Sequence, residues 1–375
     1  EDGIRDKQIC LVGSEMCIRD SVLPVHSRAR LGRLTPPRGA RDEEDRHHME
    51  LTRRERVRRA LTYQEVDRLP TQFNYTGSMG QTMAEHFGVD IVDLPRRLDN
   101  HLVRLDMTYP TRLSEDGKAR FDWWGAGHDT QEEGYYIRVA PLHENPDLDA
   151  YDWPDPHDPH LLDDAVVLRE RIGDSAFVVP NIGWALFERA WSLRGMENVL
   201  LELALDPGYI GELLDRIVEI RLVVIERYLE LGVDGGYFGD DYGAQVSTLF
   251  SPNDWRALIK PRLARLFGPF LNRGLPVMMH SDGDIAPIVP DLVEIGLTAL
   301  NPVQPEVMDH EWLHKEFNGE LAFYGGVSTQ TVLPYGSPEE VKEAARKCVA
   351  DLAPNRTGLM LAPSHRMMSD VSMEN

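Results

Sequence analysis

Short apolar runs recur along the chain, each leading into a polar or glycine-rich loop, and amphipathic segments separate them. Six of the runs cover residues 177–181, 235–240, 276–280, 298–301, 321–324 and 358–362. They are apolar throughout rather than alternating, which predicts parallel strands buried on both faces. A β-like stretch at 69–74 and a weaker one at 102–107 bring the number to about eight, the count that closes a (β/α) barrel.

The segments between the runs carry helix boundaries. Asp206-Pro207 opens an apolar stripe through Leu213, Leu214, Ile217 and Val224 that stops near Gly232. Ser251-Pro252 opens another through Trp255, Ile259, Leu263 and Phe267, and Ser337-Pro338-Glu339-Glu340 forms a capping box. The alternation predicts an α/β fold, a (β/α)8 TIM barrel. A stretch near 110–160, rich in Trp, Asp and Pro, interrupts it and is expected to be an insertion covering one barrel mouth. The last run ends near Ala362, too close to the end of the sequence for a closing helix, so the barrel is expected to be truncated there.

Residues 1–48 lack apolar periodicity and are expected to form a disordered or non-native N-terminal extension, leaving 49–375 as the barrel. The extension's nine acidic and nine basic residues cancel, so the formal charge of −22 belongs to the barrel. That charge repels phosphate backbones and anionic lipid, which excludes nucleic acid and membrane surfaces as expected partners. No apolar run is long enough to span a bilayer, and a cytoplasmic protein acting on a small molecule is expected. Three cysteines, with no CxxC pair, leave His and carboxylate as the groups for any metal.

Strand ends of a barrel converge on one mouth, which makes Asn74, Asn181, Asp240, Asp241, His280, Asp282, Asn301, Gln304 and His365 the candidate site residues. In His280-Ser281-Asp282-Gly283 a buried strand delivers two groups able to face one ion, or else a loop His bonded to its neighbouring Asp. Asp240-Asp241 offers adjacent carboxylates, of which one is expected to be functional and the other a cap. Walker, GxSxG and HExxH motifs are absent.

Several stretches resemble the uroporphyrinogen decarboxylase superfamily: Arg53 to Leu61 with Asp67-Arg68-Leu69-Pro70, Leu193 to Glu197, Gly239 to Gly243, Ser251 to Pro261, His280 to Gly283, Asn301 to Pro305, Tyr324 to Gln330 and Ala362 to His365. The superfamily also holds cobamide-dependent methyltransferases, in which a His-x-Cys-Gly loop and a Cys after the last strand bind zinc. The resemblance carries those ligand positions to His280, Asp282 and His365, a set able to hold zinc or another divalent metal. It implies methyl transfer with a corrinoid carried by a partner protein; on the strand-end reading Asp240, Asp241 and His365 are then expected to be catalytic and Asn74, Asn181, Asn301 and Gln304 to bind substrate. The decarboxylase branch also places a His at the position of His365, but it grips its polyanionic substrate with paired Arg after the first strand. Residues 73–79 contain none. Uroporphyrinogen decarboxylation in porphyrin biosynthesis and a non-catalytic, corrinoid-partner barrel stand as the alternatives.

Overall fold

The computed structural model describes residues 50–131 and 136–375. The expected extension at 1–48 lies outside the described residues. In chain order the strands are β1 (Leu102–Leu105), β2 (Arg112–Leu113), β3 (Ala119–Phe121), β4 (Gly127–Asp129), β5 (Ile137–Val139), β6 (Phe177–Ile182), β7 (Gly236–Gly239), β8 (Val277–His280), β9 (Ala299–Asn301), β10 (Ala322–Val327) and β11 (Leu359–Pro363). Seven of them form one curled parallel sheet ordered β1-β6-β7-β8-β9-β10-β11, so seven of the eight expected runs are strands.

The eighth is not. The 69–74 stretch makes only isolated bridges, Thr71 with Leu361 and the adjoining Tyr75 with Met367. On the β11 side it has backbone bonds, Gln72 N–H to the Leu361 carbonyl at 3.0 Å and Leu361 N–H to the Pro70 carbonyl at 2.9 Å. On the β1 side one backbone bond, His101 N–H to the Thr71 carbonyl at 3.1 Å, is made, and side chains take over beyond it. Asn100 binds both the N–H and the carbonyl of Phe73, and the Gln72 amide oxygen accepts from Leu102 N–H. The stretch therefore lies between the sheet's two edge strands without forming a strand itself.

Period-two alternation assigns the two faces of the sheet. Val178, Ile182, Phe238, Val277, Met279, Leu300, Phe323 and Leu359 face outward into the large core shared with the helices. Phe177, Val179, Tyr237, Met278, Ala299, Ala322, Tyr324 and Met360 face inward and pack with Val57 and Leu61 of the helix Arg53–Leu61. One step further along four of the inner rows the residues turn polar, at Arg104, Asn181, His280 and Asn301. Register holds these ends level, with Gly239 beside His280 and His280 beside Asn301.

The predicted helix starts are present. Asp206 caps Pro207–Glu230 by accepting from Tyr209 N–H, and Ser337 and Glu340 form the reciprocal box at Pro338–Leu352. Ser251 caps Pro252–Asp254, which runs on through a π-turn at Trp255–Ile259 into Lys260–Leu271.

Between β1 and β6 the insertion forms an antiparallel meander, β2-β3-β4-β5. It packs on the outer helices, with Trp124 in the main core and Asp122 in a buried pair with Arg189 at 2.5 Å. Arg189 belongs to the helix Phe187–Arg194, directly after β6. Among the described residues no helix is long and apolar enough to cross a membrane.

Candidate functional site

Asn301 organises the inner end of the sheet. Its amide nitrogen donates to the Tyr324 carbonyl at 2.6 Å, which fixes the amide's orientation and makes Oδ1 the acceptor. Oδ1 then receives the Tyr237 hydroxyl at 2.9 Å and His280 Nδ1 at 2.7 Å. His280 must carry its proton on Nδ1, so the Nε2 lone pair is left free. Nε2 is buried and has no hydrogen-bond partner. Burial, with the charges of Arg104 and Arg366, lowers the His280 pKa to about 4 against the opposing bond from Asn301, and the ring is neutral near pH 7. A neutral imidazole with its orphaned lone pair facing carboxylates has the character of a metal ligand.

The other members of the set are close by. Asp282 Oδ2 lies 3.8 Å from His280 Nε2 and 3.4 Å from His365 Nε2. Donor atoms of the three residues all lie within 4.8 Å of one another. Ligands at about 2.1 Å around a tetrahedral ion stand about 3.4 Å apart, so the set matches an ion after small adjustments. The loop carrying Asp282 is held by backbone packing that only glycine permits. A Cβ on Gly283, whose φ is +81°, would stand 2.3 Å from the Gly243 carbonyl carbon, and one on Gly243 would stand 2.6 Å from the Asp282 carbonyl oxygen.

The two adjacent aspartates have different surroundings: Asp240 is a cap, and Asp241 faces His280. Asp240 is buried and accepts from Leu186, Phe187 and Glu188 N–H at 2.8 to 3.0 Å and from the Tyr242 hydroxyl at 2.6 Å. It caps the helix Phe187–Arg194, so its expected catalytic placement is corrected: both of its oxygens are engaged away from His280. Burial raises it to about 6 in spite of those donors. Asp241 faces the site, with Oδ1 accepting from Asp282 N–H at 2.9 Å and lying 3.7 Å from His280 Nε2. Burial first, and then the charge of Asp241, raises Asp282 well above the usual carboxylate range.

The remaining candidates scatter around this centre. Asn74 donates to the Tyr324 hydroxyl at 3.0 Å and Asn181 to Asp106 at 2.7 Å, while Gln304 is buried with an unpartnered amide nitrogen. Asn301 is an orienting group for His280 rather than an open substrate contact. Sequence reasoning missed Arg104, Tyr237 and Tyr324, which the inner-face alternation would have found, and Glu188, buried beside the aspartates. Burial first, then Asp241 and Asp240, raises Glu188 well above its ordinary value.

Comparison with curated proteins gives no match. Among solved structures, a methyltransferase from Methanosarcina mazei superposes with a TM-score of 0.67 at 17% identity, over 87% of this chain and 96% of that one. A B12-independent methionine synthase from Shewanella sp. W3-18-1 is a looser match, with a TM-score of 0.43 at 12% identity over 79% and 81% of the two chains. The first of these shows that the fold is shared. The model of the family described as uroporphyrinogen decarboxylase (URO-D) matches residues 127–375, more than half of the sequence, and the chain belongs to that family.

Proposed function

We propose that the protein is a metal-dependent methyltransferase of the URO-D family, exchanging a methyl group between a small oxygen substrate, a methoxyl compound or alcohol, and a corrinoid carried by a partner protein. In this reading the 69–74 stretch completes an eight-membered barrel around the site. The observation that carries the proposal is the buried, unpartnered Nε2 of His280 converging with Asp282 and His365.

A divalent ion such as zinc, held by His280, Asp282 and His365, would supply Lewis-acid polarisation of the substrate oxygen. One imidazole pair and one carboxylate leave the set less anionic than a thiolate site, which suits a neutral oxygen group. Asn301 holds His280 in the tautomer that presents its lone pair. Asp241, 3.7 Å from that lone pair, orients the substrate and takes the hydroxyl proton when an alcohol is methylated, returning it in the reverse direction. Tetrapyrrole decarboxylation is disfavoured because residues 73–79 offer no cation to a polycarboxylate.

Metal analysis and two activity assays test the proposal. Wild-type protein should bind one zinc per chain and demethylate methylcobalamin in a metal-dependent way with an alcohol acceptor, and His280→Ala should lose both. Coproporphyrinogen formed from uroporphyrinogen at an enzymatic rate, and lost in His365→Ala, would overturn it.

A further inference from the structure

Arg104 is a half-buried cation with no carboxylate bonded to it; Asp106, two residues on, raises its pKa only through space. Its Cζ lies 4.1 Å above the centre of the Tyr237 ring, and Nη2 donates to the Tyr324 hydroxyl at 3.2 Å. Nε is buried without a partner, and Arg104 forms no ion pair among the described residues. The deeply buried arginines are supplied differently. Arg56 meets Asp67 at 2.6 Å and Arg189 meets Asp122 at 2.5 Å, while Arg221 donates to the carbonyls of Gly183 and Trp184. A guanidinium whose Nε is taken out of water with no hydrogen-bonded carboxylate is costly, and Asp106 acts on it only through space, so the open side of the fork calls for an anion that arrives from outside.

Tyr324 points to the same conclusion. Its oxygen accepts from both Asn74 Nδ2 and Arg104 Nη2, which occupies its two lone pairs and leaves the hydroxyl proton to donate elsewhere. The free capacity here is all donor: Nε and the second terminal nitrogen of Arg104, and the Tyr324 hydroxyl. The same two tyrosines tie this cluster to the candidate metal centre. The Tyr237 hydroxyl and the Tyr324 carbonyl both bind Asn301, which in turn holds His280.

We infer that Arg104, with the Tyr324 hydroxyl, forms an anion-binding subsite beside the metal centre, and that the small substrate carries a carboxylate. This deepens the proposed function and rests on its placing of the substrate in the inner end of the sheet. A planar, singly charged carboxylate matches one guanidinium fork and one hydroxyl. A doubly charged phosphate would leave excess negative charge next to Asp241 and Asp282. Tyr237, stacked under the guanidinium, keeps the fork flat and directed.

Ligand-observed NMR titration of the full chain with methoxyacetate and with uncharged 2-methoxyethanol tests the subsite, in zinc-free and zinc-loaded protein. Wild-type protein should bind methoxyacetate at least tenfold more tightly in both states, which corresponds to about 1.4 kcal/mol. In Arg104→Gln the preference should fall below threefold while zinc content stays at the wild-type value. Arg104→Lys, which keeps the charge but not the fork, should lie between them and carries the test if the Gln variant does not fold. Equal binding of the two probes by wild-type protein, or an undiminished preference in folded Arg104→Gln, overturns the inference. A carboxylate preference that persists where zinc does not bind would uphold the subsite while refuting the metal reading.

Discussion

Replacing Asp240 by alanine distinguishes a capping role from a catalytic one. In the structure Asp240 is a cap, and removing its carboxylate strands three N–H groups at the start of Phe187–Arg194 and the buried Tyr242 hydroxyl. Loss of an N-cap costs about 1–2 kcal/mol, and a buried hydroxyl left without its acceptor costs about 1–3 kcal/mol more. Burial already works against this carboxylate, which has risen to about 6, and that trims the loss. A net destabilisation of about 3 kcal/mol follows from these two costs, enough to move a urea midpoint by about 1 M at a slope near 3 kcal/mol per molar. Folded Asp240→Ala should still bind zinc as tightly as the wild type, because Asp240 is not among the groups around His280. Urea unfolding followed by circular dichroism, together with a chelator competition on the folded variant, measures both quantities. An unchanged midpoint combined with abolished methyl transfer would refute the cap argument and restore Asp240 to catalysis.

Three further outcomes follow from the same geometry. Asn301→Ala removes the acceptor that fixes His280, and zinc affinity should drop about 10- to 100-fold in a competition with a chromophoric chelator; a change below twofold would show that the tautomer is set elsewhere. Gly283→Ala must place a methyl against the Gly243 backbone at a φ of +81°, so its melting temperature and zinc affinity should both fall, and an unaltered melting curve counts against the close approach described here. His101 is lowered to about 4 chiefly by burial, and Arg56 Nη1 donates to its Nε2 at 2.9 Å, so the folded state holds it neutral. The unfolded chain takes up that proton first, so stability is complete above about pH 6.5 and is lost as the pH falls through 4, with a slope of up to about 1.4 kcal/mol per pH unit. Urea midpoints across this range should show that slope in wild-type protein, and its survival in His101→Asn would assign it to another group.

Much of this arrangement is legible in the chain, and the gaps have physical causes. Apolar runs revealed seven strands because both faces of a covered parallel sheet exclude water. The 69–74 stretch has the pattern of an eighth, yet beyond one backbone bond to His101 its ladder toward β1 is replaced by Asn100 and Gln72 side chains, a substitution that periodicity cannot register. His280 and Asp282 stood out because a buried strand ends in two polar residues and a glycine. His365 shares their mouth only if the barrel closes, and its role as a third ligand comes only from the family resemblance, since loop residues carry no period. Arg104 was concealed within the run 102–107, where it and Asp106 look like interruptions; only the inner-face alternation, with Leu102 one step before it, shows where it points. Glu188 was hidden for the opposite reason. Its helix is buried almost all round, so no polar stripe marks which residues face water and which face other carboxyls.

The pairing of Asp122 with Arg189 binds the fate of the β2–β5 meander to the helix that Asp240 caps. Cutting the meander out would take both Asp122 and Trp124 away from Arg189, leaving its guanidinium against Trp184 without its bonded carboxylate, one residue from Glu188 and at the head of a helix whose cap adjoins Asp241. The insertion is thus no detachable module. A related sequence that lacks the meander should carry an apolar residue where this one has Arg189, and a hybrid that swaps either piece alone should fail to assemble its inner carboxylates.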